Sequence, residues 1–134
     1  MKQSAGLPTR AILIVDDNDQ VREMVAAVLD RFGWAVKQAA SAEEAAIVMA
    51  ADNARIALAL VDVILYQTDG LSLARMLRTN YPHIQIVLLS GQLSEESRWR
   101  VSEEGFRFLP KPFTLEQLRG VVTDILGSPG PKPV

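Results

Sequence analysis

The stretch ILIVDDND, residues 12–19, sets four β-branched or leucine residues directly against three aspartates. An apolar run without alternation is the pattern of a strand covered on both faces. Charge is the hardest thing to cover. The two halves are compatible if the strand is buried along its length and its carboxyl end opens onto a site. The same pattern recurs at IALALV (56–61), which stops at Asp62, and at IQIVLL (84–89), which stops at Ser90. These three are read as central strands. AVKQA (35–39) and FRFL (106–109) are shorter or carry charge, which suits the two edges of a sheet.

Helical patterns lie between the strands. Val21, Met24, Val25, Val28, Leu29 and Phe32 follow the i, i+3, i+4 rhythm, and Gly33 closes that helix. Ser41 with Glu44, and Thr114 with Gln117, match the capping box that opens a helix. The helix starting at Thr114 is expected to bury Leu115, Leu118, Val122, Ile125 and Leu126. Residues 71–81 form another amphipathic helix, closed before Pro82. SEESRWRVSEEG (94–105) is helical by its charges but offers little apolar surface beyond Trp99 and Val101, so it is expected to be weakly anchored. Strand then helix, five times over, predicts an α/β doubly wound parallel sheet with helices on both faces.

Composition narrows the function. The 134 residues are 49% hydrophobic, enough for the core of one domain. The net charge is −2, with no basic block, so neither nucleic acid nor an anionic membrane is indicated as a partner. There is no cysteine, which excludes disulfides and thiolate metal sites. The longest apolar runs fall far short of the ~20 residues of a membrane span, and the one at Ala11 is cut by Asp16 and Asp17 too early for a signal peptide. A cytoplasmic location is expected. Residues 1–9 read as an N-terminal tail and the Pro- and Gly-rich residues 128–134 as a C-terminal one.

In doubly wound sheets ligands sit at the carboxyl ends of the strands. Asp16 and Asp17 follow the first strand, Asp62 ends the third, Ser90 the fourth, and Lys111 follows the fifth, so all share one edge. Three converging carboxylates repel one another unless a hard cation joins them, and a few oxygen ligands suit Mg²⁺ with waters retained. A carboxylate held there can attack a phosphoryl group, while a lysine and a hydroxyl orient its oxygens. Plainer readings stand beside these. DDND could be a helix N-terminus with Asn18 or Asp19 as cap, Ser90-Gly91 a strand-end turn, and Lys111 a solvated loop charge. His83 reads as a surface residue, and Trp99 as core filler or partner contact. Asp62, closing an apolar strand, is the hardest to explain without a partner.

The segments VDD (15–17), LVDVILYQTDG (60–70), LLSG (88–91) and FLPKPF (108–113), in this order, resemble the receiver domain of two-component response regulators over residues 10–127. The resemblance implies a single domain with a flavodoxin-like (βα)5 fold and strand order 2-1-3-4-5. Asp62 would be the phosphoacceptor. Asp17, Asp62 and the backbone carbonyl of Ile64 would ligate Mg²⁺ directly, with Asp16 helping through water. Lys111 would contact the phosphate, next to a cis bond to Pro112. Ser90 and Phe108 would be the switch pair, and Ile64 and Gln92 would tune the lifetime of the phosphoryl group. The implied partners are a histidine kinase or a histidine phosphotransfer protein, with a homodimer or effector contacting the face built from residues 94–126. A signalling switch, not an enzyme, is expected.

Leu65 and Tyr66 stand where the family usually has Met-Pro, and Phe108 where tyrosine is commoner. Three competitors are weaker. A metal-dependent hydrolase or phosphotransferase with an aspartyl nucleophile usually places a second aspartate where this chain has Ile64. A flavodoxin-like cofactor binder needs a phosphate loop after the first strand, and a receiver serving only as a scaffold would not need the acidic and lysine positions present here.

Overall fold

A computed structural model describes residues 10–65, 68–91 and 102–129. Strands β1 (Ala11–Val15), β2 (Ala35–Ala39), β3 (Ile56–Asp62), β4 (Gln85–Ser90) and β5 (Arg107–Pro110) alternate with helices α1 (Asp19–Arg31), α2 (Ala42–Asp52), α3 (Gly70–Asn80) and α4 (Leu115–Leu126). The strands form one parallel sheet in the order β2-β1-β3-β4-β5, which is the order expected. One small element was not foreseen: Ile64–Leu65 pairs antiparallel with Thr68–Asp69 between β3 and α3.

The missing alternation in β1 has a direct cause. Leu13 and Val15 pack into one core with α2 and α3 residues such as Met49, Leu73 and Leu77. Ile12 and Ile14 pack into the other with Val25 and Leu29 of α1 and Leu118 and Val122 of α4. All of β1 is fully buried. Burying one such side chain contributes about 1.5–3 kcal/mol, so both faces of the central strands must be apolar. The weaker segments 35–39 and 107–110 are the edges, as their charges predict.

Strand ends differ from the expected ones by a residue. β3 runs on to Asp62, which pairs with Leu89, and β4 and β5 are displaced by one so that Ser90 pairs with Pro110. Backbone pairing, not the last apolar side chain, sets a strand's end, while Ile84 and Phe106 are buried just ahead of their strands. Two residues expected on the core faces are exposed, Met24 at 52% and Leu115 at 54%. Met24 lies beside the stripe of Val25, Ala26 and Leu29, and the buried side of α4 begins only at Leu118. Periodicity locates a face, but not where along a helix the sheet begins to cover it.

Asn18 caps α1 by accepting from Val21 N–H at 3.0 Å. Thr114 and Gln117 complete the expected reciprocal box at α4. Only half of the box forms at α2, because the Glu44 carboxylate reaches Ala40 N–H instead of that of Ser41. Helix α3 is capped by Asp69, which accepts from Leu71 N–H, a cap the sequence reading missed. His83 is exposed, as expected, with Nε2 at 3.0 Å from the Asn53 carbonyl.

Most of the segment 94–105, Trp99 included, lies outside the described residues, but its end does not. That end is fastened, contrary to the expectation of weak anchoring. Arg75 makes a two-pronged contact with the Glu104 carboxylate at 2.6 Å for each prong. Arg78 donates to the Glu104 carbonyl at 2.6 Å and lies over the Phe106 ring at 4.1 Å. The anchoring is polar and comes from α3, so apolar content alone could not reveal it. No helix among the described residues is long and apolar enough to cross a membrane.

Candidate functional site

The carboxyl ends of β1, β3 and β4 and the loop after β5 meet at one edge, and two aspartates are buried there. Asp16 is 1% exposed and Asp62 is 8% exposed. Each carboxylate divides its oxygens in the same way. One accepts a backbone N–H two residues on, Asn18 for Asp16 and Ile64 for Asp62, both at 2.9 Å. The other accepts from Lys111 Nζ, at 3.1 Å for Asp16 and 2.7 Å for Asp62. The backbone bonds fix where each carboxylate points, and the ammonium group supplies the opposite charge that two close carboxylates require.

Protonation follows from this geometry. Burial pushes the Asp62 carboxyl above its ordinary range, and the bonds from Lys111 and Ile64 only partly offset the push. Burial also disfavours the Lys111 ammonium, but the hydrogen bonds and charges of Asp62 and Asp16 outweigh it and raise the pKa. Lys111 therefore stays charged while Asp62 is the more basic of ordinary carboxylates. A basic, partly desolvated carboxylate is a competent nucleophile once ionised.

Lys111 follows the end of β5, its backbone N–H donates to the Ser90 carbonyl, and its peptide bond to Pro112 is cis. Ser90 ends β4, next to β3, and its hydroxyl is buried with no hydrogen-bond partner among the described residues. Phe108 is half-buried against the core shared with α2 and α3. Ile64 is 64% exposed beside Asp62, and Gln92 lies outside the described residues.

Asp17 does not join the buried pair. It is exposed at the rim beside Asp16, while Lys111 lies between Asp16 and Asp62. Among the described residues no group of three acidic or imidazole side chains stands ready as a metal cage.

Two supporting residues escaped the sequence reading. A Cβ on Gly70 would lie 1.9 Å from the Asp62 carbonyl oxygen and 2.8 Å from Val63 Cα, so the start of α3 rests on the backbone that carries Asp62. Only glycine permits that approach. The signal was legible in Asp69-Gly70, an N-cap followed by a residue with no side chain, at the head of an amphipathic run. Arg22 donates to the Asp16 carbonyl at 2.9 Å and to Gln38 at 3.1 Å, and pairs with Asp19 at 2.8 Å, locking α1 to the first acidic loop. An arginine in a helix's first turn carries no comparable signal.

The chain is similar to known proteins. Residues 12–123 match the response regulator receiver domain family. The chain is 34% identical over 116 residues to the sensor kinase CckA of Brucella abortus, covering 86% of this chain and 12% of that protein. It is 35% identical over 113 residues to the response regulator MprA of Mycolicibacterium vanbaalenii, covering 84% of this chain and 48% of that protein. It thus spans about half of MprA (48%) and a much smaller share of CckA (12%). The chemotaxis protein CheY4 of Vibrio cholerae superposes with a TM-score of 0.77 at 28% identity, covering 88% of this chain and 99% of that one. Sheet order and a match running from β1 into α4 agree, and the chain belongs to the response regulator receiver domain family.

Proposed function

We propose that Asp62 accepts a phosphoryl group from a phosphohistidine on a histidine kinase or histidine phosphotransfer protein, and that the chain signals by the conformational change that follows. The observation that carries this is the Asp62 carboxylate itself, buried at the end of a central strand with Lys111 Nζ at 2.7 Å. As a receiver domain the chain is a switch in two-component signalling and not a classical enzyme.

The residues divide the work. Asp62 attacks phosphorus through one oxygen as the phosphorus–nitrogen bond of the donor breaks. Ile64 N–H keeps the carboxylate aimed, and Lys111 follows the charge from the carboxylate to the phosphoryl oxygens. The unpartnered Ser90 hydroxyl supplies a further donor at the same edge. Phe108, the other member of the proposed switch pair, can respond only by packing, since its ring has no hydroxyl.

The donor set fits Mg²⁺: Asp16, Asp17, Asp62 and the Ile64 carbonyl are hard oxygen ligands, few enough to leave waters in place. When bound, the ion would neutralise charge that builds on the transferring group. Asp17, Asp62 and the Ile64 carbonyl would hold it directly and Asp16 through water.

Incubation with Mg²⁺ and acetyl phosphate, followed by intact mass, tests the reading. A single acid-stable, base-labile phosphoryl adduct that disappears in Asp62→Asn is expected. Multiple turnover of phosphate esters would instead favour the aspartyl hydrolase. Similarity to both a sensor kinase and response regulators fits a stand-alone regulator, a relay component or the receiver of a hybrid kinase equally well.

A further inference from the structure

The pole of the sheet opposite Asp62, where β1 begins and where α1 and α4 end, holds a set of contacts that phosphoryl transfer does not use. Arg10, just ahead of β1, donates from Nη1 to the Leu126 carbonyl at 2.9 Å and from Nη2 to the Ser128 carbonyl at 3.2 Å. Its guanidinium lies over the ring of Trp34 at 5.3 Å from the centroid. Trp34 is itself 3% exposed, so the platform beneath the guanidinium is fixed. The chain reaches Arg10 by turning at Gly127, whose φ is 75°, and Pro129 then comes to rest on Gly33. A Cβ on Gly33 would meet Pro129 Cγ at 3.0 Å and Cβ at 3.4 Å.

Each contact answers a physical need. The Leu126 carbonyl belongs to the last turn of α4 and has no partner within the helix, so Arg10 acts as a cap delivered from a distant part of the chain. A planar fork can hold two carbonyls in fixed relation, which a lysine cannot do, and stacking on a buried indole orders the fork beforehand. Gly33 is required twice, by its positive φ of 104° and by the approach of the proline ring.

We propose that Arg10, Trp34 and Gly33 form a docking site for the segment after α4, residues 127–129, and that this site fixes the direction in which the chain leaves the domain. The dock recognises backbone carbonyls through Arg10 and one proline through Gly33. It turns the chain away from the end of α4 and lays it over the α1–β2 corner. The segment up to Pro129 is thereby directed to the α1 side, at the pole remote from Asp62.

The test uses the full chain with Trp99→Phe, which leaves Trp34 as the sole tryptophan. Arg10→Met keeps the aliphatic stem and removes both hydrogen bonds. Amide exchange at residues 126–128 is expected to speed up several-fold, with a cooperative thermal melt retained, and Arg10→Lys should restore little of the protection. A chain ending at Gly127 should shift the emission and acrylamide quenching of Trp34 in the same direction as Arg10→Met but by less, because the Arg10 bond to the Leu126 carbonyl and the stack on Trp34 remain. Unchanged exchange at 126–128 in Arg10→Met would overturn the proposal. If Arg10→Met does not fold, the shortened chain decides alone: Trp34 quenching equal to that of the full chain rules the dock out.

Discussion

At the scale of single residues, the site is defined by a conflict that the fold tolerates. Asp62 is nearly buried, and burial holds its carboxyl above the ordinary range even with Lys111 at 2.7 Å. A raised folded value means that its contribution to stability is fully present below the unfolded pKa and is lost as pH rises through the folded one. At neutral pH without divalent cations the fold therefore carries the cost of the charge. Asp62→Asn, neutral at every pH, should melt a few degrees above the wild type at pH 7. The gap should narrow as pH falls through the raised value of Asp62, and a gap that widens instead would show that Lys111 more than compensates the burial. Ile64 poses a kinetic question at the same spot. It can neither orient nor polarise a water, and it stands beside the acceptor with its side chain at the surface. Ile64→Asn should speed loss of the phosphoryl group several-fold, or about 1 kcal/mol in barrier. The decay of the phosphorylated protein, followed by intact mass, reads this directly, and an equal or slower decay in the variant contradicts the shielding role.

At the scale of elements, the position of α3 depends on one missing side chain. Gly70 N–H donates to the Val63 carbonyl at 2.8 Å, and any Cβ there would collide with the Asp62 backbone. Gly70→Ala must push α3 away or displace the end of β3, either of which costs about 1–3 kcal/mol by the measure of overpacked sites. Urea unfolding checks this, and a loss under about 1 kcal/mol would mean that the loop 63–69 yields easily. The elements also show what was legible. β1, β3 and β4 announced themselves because strands buried on both faces cannot alternate, and polar residues at their ends then fell on one edge by topology alone. The antiparallel pair Ile64–Leu65 with Thr68–Asp69 was not legible, since two residues are too few for any period. Nor was the fastening of Glu104 by Arg75 and Arg78, because long-range ion pairs leave no trace in local pattern. Asp16 illustrates the middle case. Its place at the site followed from the strand it ends, but its direct bond to Lys111 joins residues 95 apart in sequence and needed the fold.

At the scale of the whole molecule, the question is how an event at Asp62 reaches a partner. The carboxyl edge touches β5 through Lys111 and α3 through Gly70, and α3 in turn grips Glu104, just ahead of β5. Both routes converge on the stretch from residue 102 to Pro110, which carries Phe108. By contrast α2 packs beside β1 and β2, on the far side of the sheet from β5. A shift in Lys111 should therefore spread toward β5 and α4 before it reaches α2. Amide exchange with and without beryllium fluoride as the phosphoryl mimic should change over residues 94–126, with the Glu104 end following α3 because of its two arginines. Arg75→Ala weakens one of the two routes, so it should shrink the change at 102–105 while leaving that at 108–111 in place. A response confined to residues 18–51 would contradict this path.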